Sequence, residues 1–139
     1  MTVTTRSAEE TIKLGEKIAR RLRPGSMVAL SGDLGAGKTT LVKGIAKGLG
    51  VKNYRYVNSP SFVLVKEYKG KIPLFHFDIY RLNNLKEIED IGYEDYLARD
   101  GVVVIEWSSK MTRILPKKHF GVAFKIKNPN ERIISVKGV

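Results

Sequence analysis

The 139-residue chain contains no cysteine. Disulfides, thiolate zinc sites and cysteine nucleophiles are therefore excluded, and a reducing compartment suits the composition. Long apolar runs are also missing. The longest, such as Phe62–Val65 and Val102–Ile105, fall far short of the roughly 20 residues that span a bilayer. Residues 2–10 are polar and no signal-type apolar stretch follows them, so a cytoplasmic protein is expected. Internal repeats, low-complexity segments and the guanine-reading Asn-Lys-x-Asp pattern are absent, and the last absence argues against a GTPase. Acidic residues are few, 14 against 25 lysines and arginines, which gives a net charge of +11. Residues 1–83 carry 15 basic and 6 acidic groups, residues 84–106 carry 2 and 7, and residues 107–139 carry 8 and 1. Such an excess either speeds encounter with nucleic acid and anionic nucleotides or keeps a small protein soluble. The acidic middle segment argues against uniform wrapping on RNA.

What is present is organised around residues 32–39, Gly-Asp-Leu-Gly-Ala-Gly-Lys-Thr, which have the form G-x-x-x-x-G-K-[ST]. Met27–Leu30 ahead of them fits a buried strand, and residues 40–49 behind them have apolar residues at helical spacing, stopped by Gly50. Strand, glycine-rich turn and helix make a phosphate-binding loop, and the full pattern with both flanks outweighs an ordinary surface turn. Gly35 and Gly37 allow positive φ, so backbone N–H groups, including those near Asp33 and Ala36, can close on phosphate oxygens. The helix that follows aims its N-terminus at the same anion. Lys38 is placed for the β- and γ-phosphates, Thr39 for Mg²⁺ and Thr40 for the α-phosphate. A nucleoside triphosphate is the expected ligand.

A chain of this length has room for one domain over residues 1–139 and little for a second. It is expected to start with a helix, opened by the capping box Ser7-Ala8-Glu9-Glu10 and striped by Thr11, Ile12, Leu14, Ile18, Ala19 and Leu22. Pro24-Gly25 ends it. After an irregular stretch at 51–58, Phe62–Tyr68 and Leu74–Leu82 read as a hairpin beside the nucleotide site. Leu85–Asp90 and Tyr93–Arg99 are short helical pieces broken by Gly92. Val102–Ile105 fits a strand buried on both faces, and Lys118–Lys127 with Arg132–Lys137 form a last hairpin. The expected fold is a three-layer α/β domain of the P-loop NTPase kind, with a mixed central sheet and hairpins extending one edge.

Hydrolysis needs a second acid near the metal and a group that positions the nucleophile. Glu106 closes the buried run 102–105, the place of a metal-facing acid, and Asp78 follows Leu74–Phe77. An ionised acid at the end of a buried strand is costly unless a cation or hydrogen bonds compensate it, which favours a functional role.

These motifs together make the chain recognisable. Residues 32–40, Ser59-Pro60-Ser61-Phe62, His76-Phe77-Asp78-Ile79-Tyr80-Arg81-Leu82, Ile105-Glu106-Trp107 and Leu115-Pro116, in this order and spacing, resemble the TsaE (YjeE) family of small bacterial P-loop ATPases. The resemblance covers nearly the whole chain. It implies ATP and Mg²⁺ as cofactors, with catalytic roles for Lys38, Asp78 and Glu106, metal contacts from Thr39 and Glu106, and phosphate contacts from Asp33, Gly35, Ala36, Gly37, Lys38, Thr39 and Thr40. Ser59–Phe62 would be a switch-like segment, and Trp107 a packing or partner-facing residue. His76 would simply belong to the hairpin, and His119 is read as exposed. Position 61 is Ser where Thr is common, and position 79 is Ile where Leu is common. The family's role is formation of threonylcarbamoyladenosine at adenosine 37 of tRNA, in partnership with the TsaD–TsaB pair. Nucleotide state would order a segment that alters affinity for that pair, the candidates being residues 51–62 and the acidic stretch 86–95.

Two other classes share the loop. A small nucleoside or nucleotide kinase would need an acceptor pocket and an arginine-bearing lid, and no compact basic lid follows Glu106. A non-enzymatic RNA-binding module would use its nucleotide only structurally, with the basic C-terminal third as its RNA contact.

Overall fold

A computed structural model describes residues 1–32, 37–58, 65–79, 85–90, 92–107 and 118–138. Seven strands form one mixed sheet: β1 (Thr2–Thr5), β2 (Met27–Gly32), β3 (Val65–Tyr68), β4 (Leu74–Asp78), β5 (Val102–Glu106), β6 (Phe120–Asn128) and β7 (Glu131–Lys137). Their order is β1-β7-β6-β2-β5-β4-β3. The four inner strands β6, β2, β5 and β4 run parallel, while β1, β7 and β3 pair antiparallel at the flanks. The mixed sheet agrees with the sequence reading. Two of its details do not. A strand, β1, precedes the first helix, and the hairpins extend both edges of the sheet, β6–β7 on one side and β3–β4 on the other.

Strand alternation assigns each face its own core. Val28, Leu30, Leu74, Val102, Val104, Val122 and Phe124 point to one side and meet Ile18, Leu41, Val42 and Ile45 of α1 (Ala8–Ala19) and α2 (Lys38–Gly48). Met27, Phe75, Phe77, Val103 and Ile105 point to the other, where α4 (Tyr93–Leu97) lays Tyr96 edge-on against Phe75 and Phe77 at 5.2 and 5.1 Å. Helix, sheet and helix are the three layers. All five residues of β5 are buried, as a central parallel strand requires. The short helix α3 (Leu85–Asp90) shows its acidic residues Glu87, Glu89 and Asp90 to solvent.

Helix α1 starts at its expected cap. Ser7 Oγ accepts from Glu10 N–H at 3.1 Å, and Glu10 Oε1 returns a bond to Arg6 N–H at 3.1 Å, one residue further back than in the usual box. Its far surface packs on α2 through small residues. A Cβ on Gly44 would lie 2.1 Å from the Ile12 carbonyl oxygen, and one on Gly15 would lie 2.5 Å from that of Leu41. This close crossing lets α1 brace the helix that follows the phosphate loop. Beyond it, a 3-10 turn at Tyr54–Tyr56 is tied to α1 by Arg55, which donates to Glu9 at 3.0 Å and holds that carboxyl below its usual range.

The crossing gives a direct test. Gly44→Ala forces a methyl into backbone and is expected to cost about 1–3 kcal/mol of stability. Gly121→Ala, whose Cβ would have its nearest neighbour at 4.0 Å, should change it by less than about 0.5 kcal/mol. Urea unfolding of both variants measures the difference, and equal midpoints would contradict the packing described.

Candidate active site

The site lies at the C-terminal ends of the parallel strands, where open α/β sheets place their ligands. Strand β2 runs to Gly32, and α2 begins at Lys38 after Gly37, whose φ of +96° is one that a side chain would resist. No acidic residue occupies the first turn of α2. The positive dipole end of α2 thus carries no acid of its own. Asp33, Gly35 and Ala36, expected as phosphate contacts, lie outside the described residues, as do Ser59–Phe62, Tyr80–Leu82 and Leu115-Pro116. Gly37, Lys38, Thr39 and Thr40 stand together where the sequence pattern placed them, at the helix start.

Lys38 is buried to 4% exposure, yet its ammonium is well accommodated. Nζ donates to the Gly32 carbonyl at 2.8 Å and sits 4.0 Å from the centre of the Trp107 ring. That cation–π contact gives Trp107 a more specific place than packing alone. Trp107 reaches it from a left-handed backbone, φ +65°, which is rare for a bulky residue. Sequence periodicity carries no signal for such a backbone conformation.

Glu106, the last residue of β5, is 3% exposed and points to the α2 side of the sheet. Thr39 Oγ1 donates to its carboxylate, lying 3.2 and 3.3 Å from the two oxygens. Residues 67 positions apart thus meet as a hydroxyl and a carboxylate, the hard oxygen donors that suit Mg²⁺. Asp78 ends β4 as the Cα partner of Glu106, on the same face and half-buried. The two acids are therefore side by side at the ends of neighbouring parallel strands, beside the start of α2.

One residue is used differently from the sequence reading. His76, expected only as part of the hairpin, is fully buried, and its Nε2 is hydrogen-bonded to Glu106 Oε2. A signal was available. In Leu74-Phe75-His76-Phe77-Asp78 the period of two separates the aromatic residues from His76 and Asp78, which share a face. His119 is half-buried rather than exposed, and it lies just before β6.

A P-loop strand–loop–helix with two acids on the adjoining strands defines a nucleotide-binding α/β protein. The family described as Threonylcarbamoyl adenosine biosynthesis protein TsaE matches residues 5–134 of this chain. The tRNA threonylcarbamoyladenosine biosynthesis protein TsaE of Bacillus subtilis (strain 168) is 40% identical over 136 residues, spanning 97% of this chain and 84% of that protein. The protein of the same name from Treponema pallidum (strain Nichols) is 38% identical, spanning 98% and 99%. Among solved structures, Bacillus subtilis YdiB superposes with a TM-score of 0.80 at 33% identity, covering 100% of this chain and 85% of that one. The chain belongs to the TsaE family.

Trp107 is the only tryptophan of the chain, so its fluorescence reports the contact with Lys38. Nucleotide that draws Lys38 onto phosphate is expected to shift that emission saturably. Lys38→Met, which removes the cation, should shift it without nucleotide. Emission that stays constant through saturating ATP would show that Lys38 keeps its place on the ring.

Proposed function

We propose that the chain binds ATP with Mg²⁺ and hydrolyses it as the ATPase subunit of tRNA threonylcarbamoyladenosine formation at adenosine 37, acting with the TsaD–TsaB pair. The reading is of one ATPase domain spanning residues 1–139, working in the cytoplasm. Its main support is the meeting of Thr39 and Glu106 at the start of α2, with Asp78 in the neighbouring register position. Family membership supplies the pathway.

The chemistry follows from what each group can do. Backbone N–H groups at the start of α2, with the loop residues Asp33, Gly35, Ala36 and Gly37, bind the phosphate chain. Lys38 contributes a buried positive charge, which counts for more in these surroundings than in water. Thr40 is placed for the α-phosphate. Thr39 and Glu106 would hold Mg²⁺, which when bound neutralises charge on the β- and γ-phosphate oxygens. Asp78 is half-buried and close enough to solvent to orient an attacking water and take up its proton. Two acids with separate tasks would explain their placement side by side.

The pair of partner proteins would read the nucleotide state through segments next to the site. A contact that both partners and nucleotide favour in one conformation couples the two equilibria. In this reading TsaD–TsaB supplies part of the catalytic machinery in trans, as arginine fingers do elsewhere, so turnover by the isolated chain is expected to be slow. Any tRNA contact is assigned to the basic C-terminal third and should weaken steeply with salt.

Phosphate release by the isolated chain and by the chain with TsaD–TsaB tests the proposal. The wild type is expected to be slow alone and faster with the pair. Asp78→Asn and Glu106→Gln should each lose about 10²-fold or more of that activity. Activity that survives both substitutions would overturn the assignment of the two acids. Phosphate passed to a nucleoside rather than to water would identify a kinase instead.

A further inference from the structure

Glu106 is held from two sides. Thr39 approaches both carboxylate oxygens from α2, and His76 Nε2 bonds Oε2 from β4. Oε2 is therefore shared between the two, whereas among the described residues Oε1 meets Thr39 alone. His76 is 0% exposed, and its Cα is paired with Val104, two residues before Glu106 on β5. A carboxylate can only accept, so Nε2 carries the proton in this bond. The other ring nitrogen, Nδ1, has no hydrogen-bond partner among the described residues. A buried ring that served packing alone would be better replaced by an apolar one, because an unsatisfied nitrogen destabilises the fold. The bond to Glu106 is what the histidine contributes in return.

We propose that His76 is a positioning residue for the metal-facing carboxylate: its Nε2–H fixes the Glu106 side chain so that Oε1 is presented at Thr39. This rests on the reading of Glu106 as a Mg²⁺ contact. A glutamate has three side-chain torsions to order when it takes up a cation. An anchor on one oxygen orders them in advance, so the cation does not have to. Outer partners of this kind typically contribute 10- to 100-fold to metal affinity.

Binding of a non-hydrolysable ATP analogue to the full chain, titrated with Mg²⁺ and repeated in EDTA, separates this role from simple packing. His76→Leu is expected to raise the Mg²⁺ half-saturation about 10-fold or more, with affinity in EDTA within about two-fold, because the phosphate loop is untouched. His76→Gln carries an amide N–H that can reach Glu106 and should recover most of the loss. His76→Asn places its amide too far back and should behave like His76→Leu. If the leucine variant does not fold, the glutamine and asparagine pair provides the same contrast. On a Glu106→Gln background, His76→Leu should add nothing to the Mg²⁺ defect. An unchanged half-saturation in His76→Leu or His76→Asn, with Glu106→Gln impaired, overturns the inference alone. So does an equal further loss on the Glu106→Gln background. An unchanged half-saturation in Glu106→Gln itself overturns the metal reading from which the inference starts.

Discussion

A carboxylate sealed at the end of the inner strand β5 is the constraint around which this structure is arranged. Glu106 is 3% exposed, and an ionised group in such a place is costly unless it is paired. The fold answers with a hydroxyl from the first turn of α2 and an imidazole from the adjacent strand. Both partners come from segments distant in sequence, so the site exists only once β2, β4 and β5 lie in register. The parallel alignment Leu30↔Glu106↔Asp78 across three strands delivers that register. It sets two acids side by side near the start of α2.

The remainder of the chain fixes the helix that presents Thr39. Helix α2 is buried along Leu41, Val42 and Ile45 against the sheet, and is held by α1, which shares that core, at a glycine-mediated crossing. A helix held on two sides cannot easily roll, and a roll of α2 would carry Thr39 away from Glu106. The outer strands β1, β7 and β3 serve the sheet rather than the site, whereas β4 carries His76 and Asp78 into it. These outer strands close its edges in antiparallel pairing and leave the parallel interior, whose C-terminal ends carry the chemistry, undisturbed.

Much of this was legible in the residues, for identifiable reasons. The phosphate loop depends on local backbone geometry and helix polarity, both of which short-range pattern encodes. Val102–Ile105 could be read as a doubly buried strand because an uninterrupted β-branched run has few other uses. Strand β1 was not legible. Thr2–Thr5 is mostly polar, and it becomes a strand only by pairing with β7, at the opposite end of the sequence. The placing of hairpins on both edges likewise follows from strand order, which periodicity does not carry. His76 stood within reach, since alternation in β4 sets it with Asp78 rather than with the phenylalanines. Its partner, however, is set by the β4–β5 register. The contact between Lys38 and Trp107 depends on a left-handed backbone at a bulky residue, against all local preference.

The account stands on Thr39 and Glu106 forming a cation site at the mouth of the phosphate loop. A crystal grown with Mn²⁺ and a non-hydrolysable ATP analogue locates the ion by its anomalous signal. The account predicts one peak between the Thr39 hydroxyl and the Glu106 carboxylate, bound directly or through a single water, with phosphate oxygens completing its shell. A nucleotide seated on the loop with the peak elsewhere, and Glu106 turned away from it, would contradict the account.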